Sequence, residues 1–184
     1  MKVIGIVGSP RKGGNTEILV ESVLEGAKRA GAEIEIYRLN DLTINGCQGC
    51  NYCQEQGSCQ QEDDMKKLYD ALHQADGIVI GSPIYMDYVT AQTKLFLDRL
   101  FALMKIGEGC RLHAGKKCVL VYSQGGGDTG QAVMESLAMF FKSVLNMDVK
   151  GIIGGNGLNE LGAVKNRREV LERAFELGKE IVKG

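Results

Sequence analysis

Three short apolar runs, residues 2–7 (KVIGIV), 77–81 (GIVIG) and 117–122 (KCVLVY), each stop at a loop marked by glycine or proline. They are continuous rather than alternating, as expected of strands buried on both faces of a parallel sheet. Residues 33–39 and 149–153 supply two further strands. Helical spacing fills the intervals. The first helix runs from Asn15 or Thr16, either of which is placed to cap it, up to Gly31, with Ile18, Leu19, Val23, Leu24 and Ala27 recurring at helical spacing. Others are expected from Asp63 or Asp64 to Ala75, over 91–105, over 128–146 and over 164–183. Strands alternating with helices in this way predict an α/β fold: a doubly wound five-stranded parallel sheet with helices on both faces and right-handed crossovers. A Cys-rich loop, residues 40–62, follows the second strand. No repeat, low-complexity tract or linker divides the sequence, and residues 1–184 are expected to form one domain.

Charge narrows the function. Twenty-two basic residues against 23 acidic ones give a net charge of −1, which speaks against a general nucleic-acid or anionic-membrane binder. No apolar run approaches the roughly 18 residues of a membrane span. Met1-Lys2-Val3-Ile4-Gly5 leads straight into a strand rather than a signal peptide, so a cytoplasmic protein is expected. In that compartment thiols stay reduced, which disfavours a disulfide framework. Four of the six cysteines nevertheless lie between positions 47 and 59, and such clustering asks for a metal or a redox role.

Ligands of such a sheet bind beyond the carboxyl ends of its strands. Three loops lie there, residues 8–14, 81–88 and 123–130, and many of the 25 glycines are assigned to them. The first, Gly8-Ser9-Pro10-Arg11-Lys12-Gly13-Gly14-Asn15-Thr16, fits neither the Walker pattern nor G-x-G-x-x-G. It suits a phosphomonoester held by Ser9, Arg11, Asn15, Thr16 and backbone amides, Gly14 among them, at a helix N-terminus. The plainer reading is a βα turn that needs glycine, with Ser9 or Asn15 as a cap.

Gly8-Ser9-Pro10-Arg11 with Gly14-Asn15-Thr16, then Gly81-Ser82-Pro83-Ile84-Tyr85, then Lys94 with Asp98-Arg99, together resemble the flavodoxin-like NAD(P)H-dependent FMN reductases. Cys47-x2-Cys50-x2-Cys53-x5-Cys59 resembles the compact cysteine motif of the iron-sulfur flavoproteins of anaerobic archaea and bacteria. The resemblance implies FMN, with its phosphate on Ser9, Arg11, Gly14, Asn15 and Thr16. It sets Pro83, Ile84, Tyr85 and Met86 along the isoalloxazine and ribityl chain, and Ser123, Gly125, Gly126 and Gly127 at the ring's polar edge. It further implies NAD(P)H or reduced ferredoxin as donor, and a homodimer or homotetramer. Without the motif, Tyr85 reads as a half-buried loop aromatic. Lys94 and Asp98, four apart on one helix, read as a surface ion pair.

The cysteine run resembles the ferredoxin-type wrap around a [4Fe–4S] cluster, although five residues precede Cys59 and Gln60 stands where proline would. Zinc and metal-free thiols are the competing readings; zinc usually draws two CxxC corners from separated segments. Cys118, in a buried strand, and Cys110, in a loop, read as background thiols, and His73 and His113 as bland residues. No Ser-His-Asp or Cys-His arrangement can be assembled, which disfavours a hydrolase, and no dedicated catalytic residue is assigned. The expected function is an FMN-dependent oxidoreductase passing electrons between NAD(P)H or ferredoxin, FMN and a [4Fe–4S] cluster. The alternatives are a cluster-free NAD(P)H:FMN or quinone reductase, a flavodoxin-like electron carrier and, more weakly, a zinc-bound scaffold.

Overall fold

A computed structural model describes residues 1–183. Its elements in chain order are β1 (Lys2–Val7), α1 (Asn15–Arg29), β2 (Glu33–Arg38), α2 (Tyr52–Gln56), α3 (Met65–Gln74), β3 (Gly77–Tyr85), β4 (Tyr88–Val89) and α4 (Ala91–Arg99). They continue with β5 (Met104–Lys105), β6 (Gly109–Cys110), β7 (Lys117–Ser123), α5 (Gly130–Ser143), β8 (Asp148–Gly155) and α6 (Arg168–Lys183). The main sheet runs β2-β1-β3-β7-β8 with every pair parallel, which is the flavodoxin-like order. The order reverses between β1 and β3, so a crevice opens beyond their carboxyl ends.

Alternate residues of the central strands serve different layers. Val3, Val7, Val79, Val119 and Val121 pack under α1 and α6, while Ile4, Ile6, Ile78, Ile80, Leu120 and Tyr122 face α3, α4 and α5. The smaller side chains lie on the face where the helices come closest. A Cβ on Gly26 would stand 1.9 Å from the Phe175 carbonyl oxygen, and one on Gly178 would stand 1.9 Å from that of Val23. Gly5 and Gly81 likewise sit under Val20 of α1. These glycines therefore serve helix packing, a role additional to that of the glycines in the three loops.

Several boundaries differ from expectation. Gly14, not Asn15 or Thr16, is the N-cap of α1, and both of those residues lie inside its first turn. β3 runs past Gly81 to Tyr85 and turns back as β4 through Met86 and Asp87, whose φ values are +48° and +58°. Such left-handed residues favour the tight turn of a two-residue hairpin; aspartate is at home there, but methionine is not among the usual residues. The helix expected over 91–105 ends at Arg99 in a 3₁₀ turn, and a β5–β6 hairpin follows, placing Cys110 in a strand and not in a loop. Helix α2, inside the Cys-rich loop, was not expected from the sequence. Among the described residues no helix is long and apolar enough to cross a membrane.

Candidate functional site

The loops beyond β1, β3 and β7 enclose a cleft of about 440 Å³. Ser9, Arg11, Gly14, Asn15 and Thr16 line it from the first loop, and Pro83, Ile84, Tyr85 and Met86 from the second. Ser123, Gly125 and Gly126 come from the third. Gly127 does not line it: with φ +77° it turns the loop, and a Cβ there would stand 2.9 Å from Gln124 Nε2. Leu158 and Asn159, beyond β8, complete the wall and were missed. The glycines at 154, 155 and 157 were the only signal there.

Hydrogen bonding divides the first-loop residues into two kinds. Ser9 Oγ accepts the Arg11 N–H at 3.2 Å, and its side chain is nearly buried. No side chain caps α1, so the N–H groups of its first turn have no partner within the helix and face outward as anion donors. The Asn15 side chain, by contrast, straps a distant segment. Its Nδ2 donates to the carbonyls of Leu158 and Glu160 at 3.0 and 2.8 Å, and its Oδ1 accepts the Val164 N–H at 3.0 Å. Only the main chain of Asn15 is left to meet a ligand. Thr16 Oγ1 lies 2.7 Å from Ser123 Oγ, joining the first and third loops, and Arg11 Nη1 donates to the Asn159 carbonyl at 2.8 Å. Glu17, buried in the same helical turn, accepts the Gly13 N–H at 2.7 Å and is paired with Arg38, so its charge is balanced locally.

A buried set of hydroxyls sets the height of the loops. Thr90 Oγ1 donates to the Gly8 carbonyl at 2.7 Å, Thr93 Oγ1 to Ser82 Oγ at 3.0 Å, and Ser82 Oγ to the Pro83 carbonyl at 2.8 Å. Above them, the β3–β4 turn is fastened to the third loop, where Thr129 donates to Asp87 at 3.0 Å and Gln124 to Thr129 at 3.1 Å. Met86 at the tip is 97% exposed, with half-exposed Tyr85 and Tyr88 beside it. Lys94 and Asp98 form the anticipated surface pair at 2.5 Å. Neither histidine lines the cleft. His113 Nε2 instead meets the buried Lys116 ammonium at 2.6 Å.

The four clustered cysteines occupy one loop closed at its neck. The fully buried Asp63 and Arg99 side chains form a two-pronged ion pair at 2.6 and 3.1 Å. Arg99 also donates to the Asn45 carbonyl at 2.7 Å, and Asp63 accepts the Asn45 N–H at 2.9 Å. Burial opposes the charge on both partners, but their mutual hydrogen bonds win, lowering the Asp63 pKa and raising that of Arg99. Within the loop, Cys47 and Cys50 are exposed, Cys59 is half-buried and Cys53 is buried. Among the described residues no three His, Cys, Asp or Glu side chains stand close enough together to hold a metal ion. The donor set nevertheless fits an iron-sulfur cluster in kind. Four soft sulfurs share one loop; Gln60 and Gln54 already offer N–H groups to Cys50 and Cys53 at 3.2 and 3.7 Å; and an unpartnered guanidinium N–H is buried at the neck. Cys118 is fully buried, and burial pushes its thiol well above the usual range, as suits a packing residue.

The NADPH-dependent FMN reductase family matches residues 1–152. An iron-sulfur flavoprotein of Methanocaldococcus jannaschii is 37% identical over 98% of this chain and 95% of its own length. One of Archaeoglobus fulgidus is 32% identical over 95% of this chain and 87% of its own length. Other iron-sulfur flavoproteins match over 46% to 52% of their own lengths. Among solved structures, the NAD(P)H:quinone oxidoreductase from Methanothermobacter marburgensis superposes with a TM-score of 0.74 over 100% of this chain and 98% of its own, at 19% identity, which speaks to the fold alone. Matched from β1 through most of β8, and aligned with an iron-sulfur flavoprotein over nearly its whole length, the chain belongs to the NADPH-dependent FMN reductase family, among the iron-sulfur flavoproteins.

Proposed function

We propose that the cleft at the ends of β1, β3 and β7 binds FMN, its phosphate on the first loop and its ring between the second and third. Family membership makes the protein an FMN oxidoreductase using NAD(P)H. The observation that carries the site assignment is the uncapped N-terminus of α1 opening into a cleft beside Ser9. Its amide donors and partial positive charge suit a phosphate. Ser9 Oγ and Arg11 add donors, and Thr16 orients Ser123. Asn15 acts indirectly, by holding the 158–164 segment as the far wall. Tyr85 and Pro83 supply flat apolar area for a ring, and Gly125 and Gly126 let main-chain amides approach its edge. In the same reading Cys47, Cys50, Cys53 and Cys59 hold a [4Fe–4S] cluster once the loop closes around it. When bound, FMN supplies two-electron hydride chemistry and the cluster a one-electron port. A homodimer or homotetramer, a ferredoxin as alternative donor, a single domain and a cytoplasmic site complete the proposal.

The test is a titration with FMN and with riboflavin. Ser9→Asp should weaken FMN binding by about 10- to 100-fold, or about 1.4 to 2.8 kcal/mol, and leave riboflavin binding unchanged. Equal losses for both ligands would remove the phosphate from the first loop. One observation favours a second reading, a cluster-free NAD(P)H:FMN or quinone reductase: the thiols are not gathered. Iron and sulfide analysis of anaerobically purified protein separates the two.

A further inference from the structure

We infer that Arg99 is a positioning residue for the metal group on the cysteine loop, and that its Nε–H raises the reduction potential of that group. The inference rests on the cluster reading above.

Arg99 ends α4, and its side chain is 1% exposed. Two of its three nitrogens are accounted for. Nη1 reaches Asp63 and the Asn45 carbonyl, and Nη2 reaches the other oxygen of Asp63. This two-pronged contact fixes the plane of the guanidinium, and with it the direction of the remaining N–H. That remaining group, Nε, is the one buried side-chain nitrogen or oxygen among the described residues that lacks a hydrogen-bond partner. Leaving a charged group's donor unpaired in the interior is costly, so native structures rarely do it without a reason. The Tyr69 hydroxyl donates to the Arg99 carbonyl at 2.7 Å, and Tyr69 lines one cavity together with Cys59. Asn45 stands two residues before Cys47 and Asp63 four after Cys59, so the unpartnered donor lies at the root of the loop that carries the four sulfurs expected to hold the metal.

The chemistry follows from charge. Four thiolates and their iron form an anionic group whose negative charge grows by one on reduction. A fixed cation and a free N–H donor beside such a group would stabilise its reduced form more than its oxidised one, which raises the potential. Lysine in place of Arg99 would keep a positive charge for Asp63 but lose the planar fork and the third donor.

A spectroelectrochemical titration of the anaerobically reconstituted protein tests this, with iron and sulfide content measured for each variant. Arg99→Lys should keep its iron, shift the cluster couple to a more negative potential and leave the FMN couple in place. Asp63→Asn removes a negative charge from the same neighbourhood, so it should shift the cluster couple the opposite way. If both variants shift in the same direction, if neither shifts at full iron content, or if Arg99→Lys binds FMN but loses its iron, Arg99 is only a staple for the loop neck and the inference falls. Wild-type protein that takes up no iron would instead overturn the cluster reading, and the inference with it.

Discussion

Burial raises the proton affinity of the Asp63 carboxyl, but the Arg99 guanidinium and the N–H groups of Asn45 and Met65 outweigh it, so the folded-state pKa lies below the ordinary aspartate value. A carboxyl with a depressed folded pKa binds fewer protons folded than unfolded. Its stabilisation is complete above the unfolded value, near 4, and is lost as pH falls through the lower folded value. Urea midpoints measured from pH 6 down to pH 2 should therefore fall steeply for the wild type and less steeply for Asp63→Asn. Parallel curves would show that this pair does not govern acid sensitivity. Asn15 marks the limit of reading single residues. Its position in the first βα loop was legible, but its partners at 158, 160 and 164 lie some 145 positions away, where local pattern carries no information. That Ser9 and Thr16 would line the cleft was easier to see, because each depends on its own loop and on the next strand end, both visible as motifs.

The close crossing of α1 and α6 depends on two glycines whose added Cβ atoms would meet backbone oxygens, not flexible side chains. Gly178→Ala should consequently destabilise the protein by about 1–3 kcal/mol despite alanine's better helix propensity. Chemical denaturation checks it, and a gain in stability would mean that the helices separate freely. Sequence periodicity located both helices and all five main strands, since each buries a continuous or regularly spaced apolar face. It could not show that glycines inside a helix set an interhelical distance, because a mid-helix glycine looks the same whether it loosens the helix or admits a neighbour. The β3–β4 hairpin escaped for a related reason: Met86 adopts a left-handed conformation that a methionine side chain does not favour. Fastening of Asp87 to Thr129 holds the turn from outside.

On the scale of the whole molecule, the cleft proposed for FMN and the cysteine loop belong to different parts of the architecture. The cleft is built from the ends of the central strands, so its framework forms as the sheet does. The cysteine loop leaves after the edge strand β2 and returns at α3, and none of its four cysteines belongs to either apolar core. Protein stripped of iron should therefore retain FMN affinity within about twofold and unfold in one cooperative transition. This is the reverse of small metal-dependent domains, which are unfolded without their ion. Loss of the near-ultraviolet circular dichroism on iron removal would contradict it. The motif spacing of the cysteines was fully legible; their arrangement was not, because thiols in a polar loop have no apolar face to fix them.

The closed neck at Asn45, Asp63 and Arg99 has an evolutionary consequence. A segment anchored at its two ends by one buried ion pair is a cassette. It can lengthen, shorten or exchange its ligands while the flavin enzyme beneath it keeps its shape. A lineage could thus gain or discard a set of four thiols by editing fewer than twenty residues, without refounding the fold that carries it.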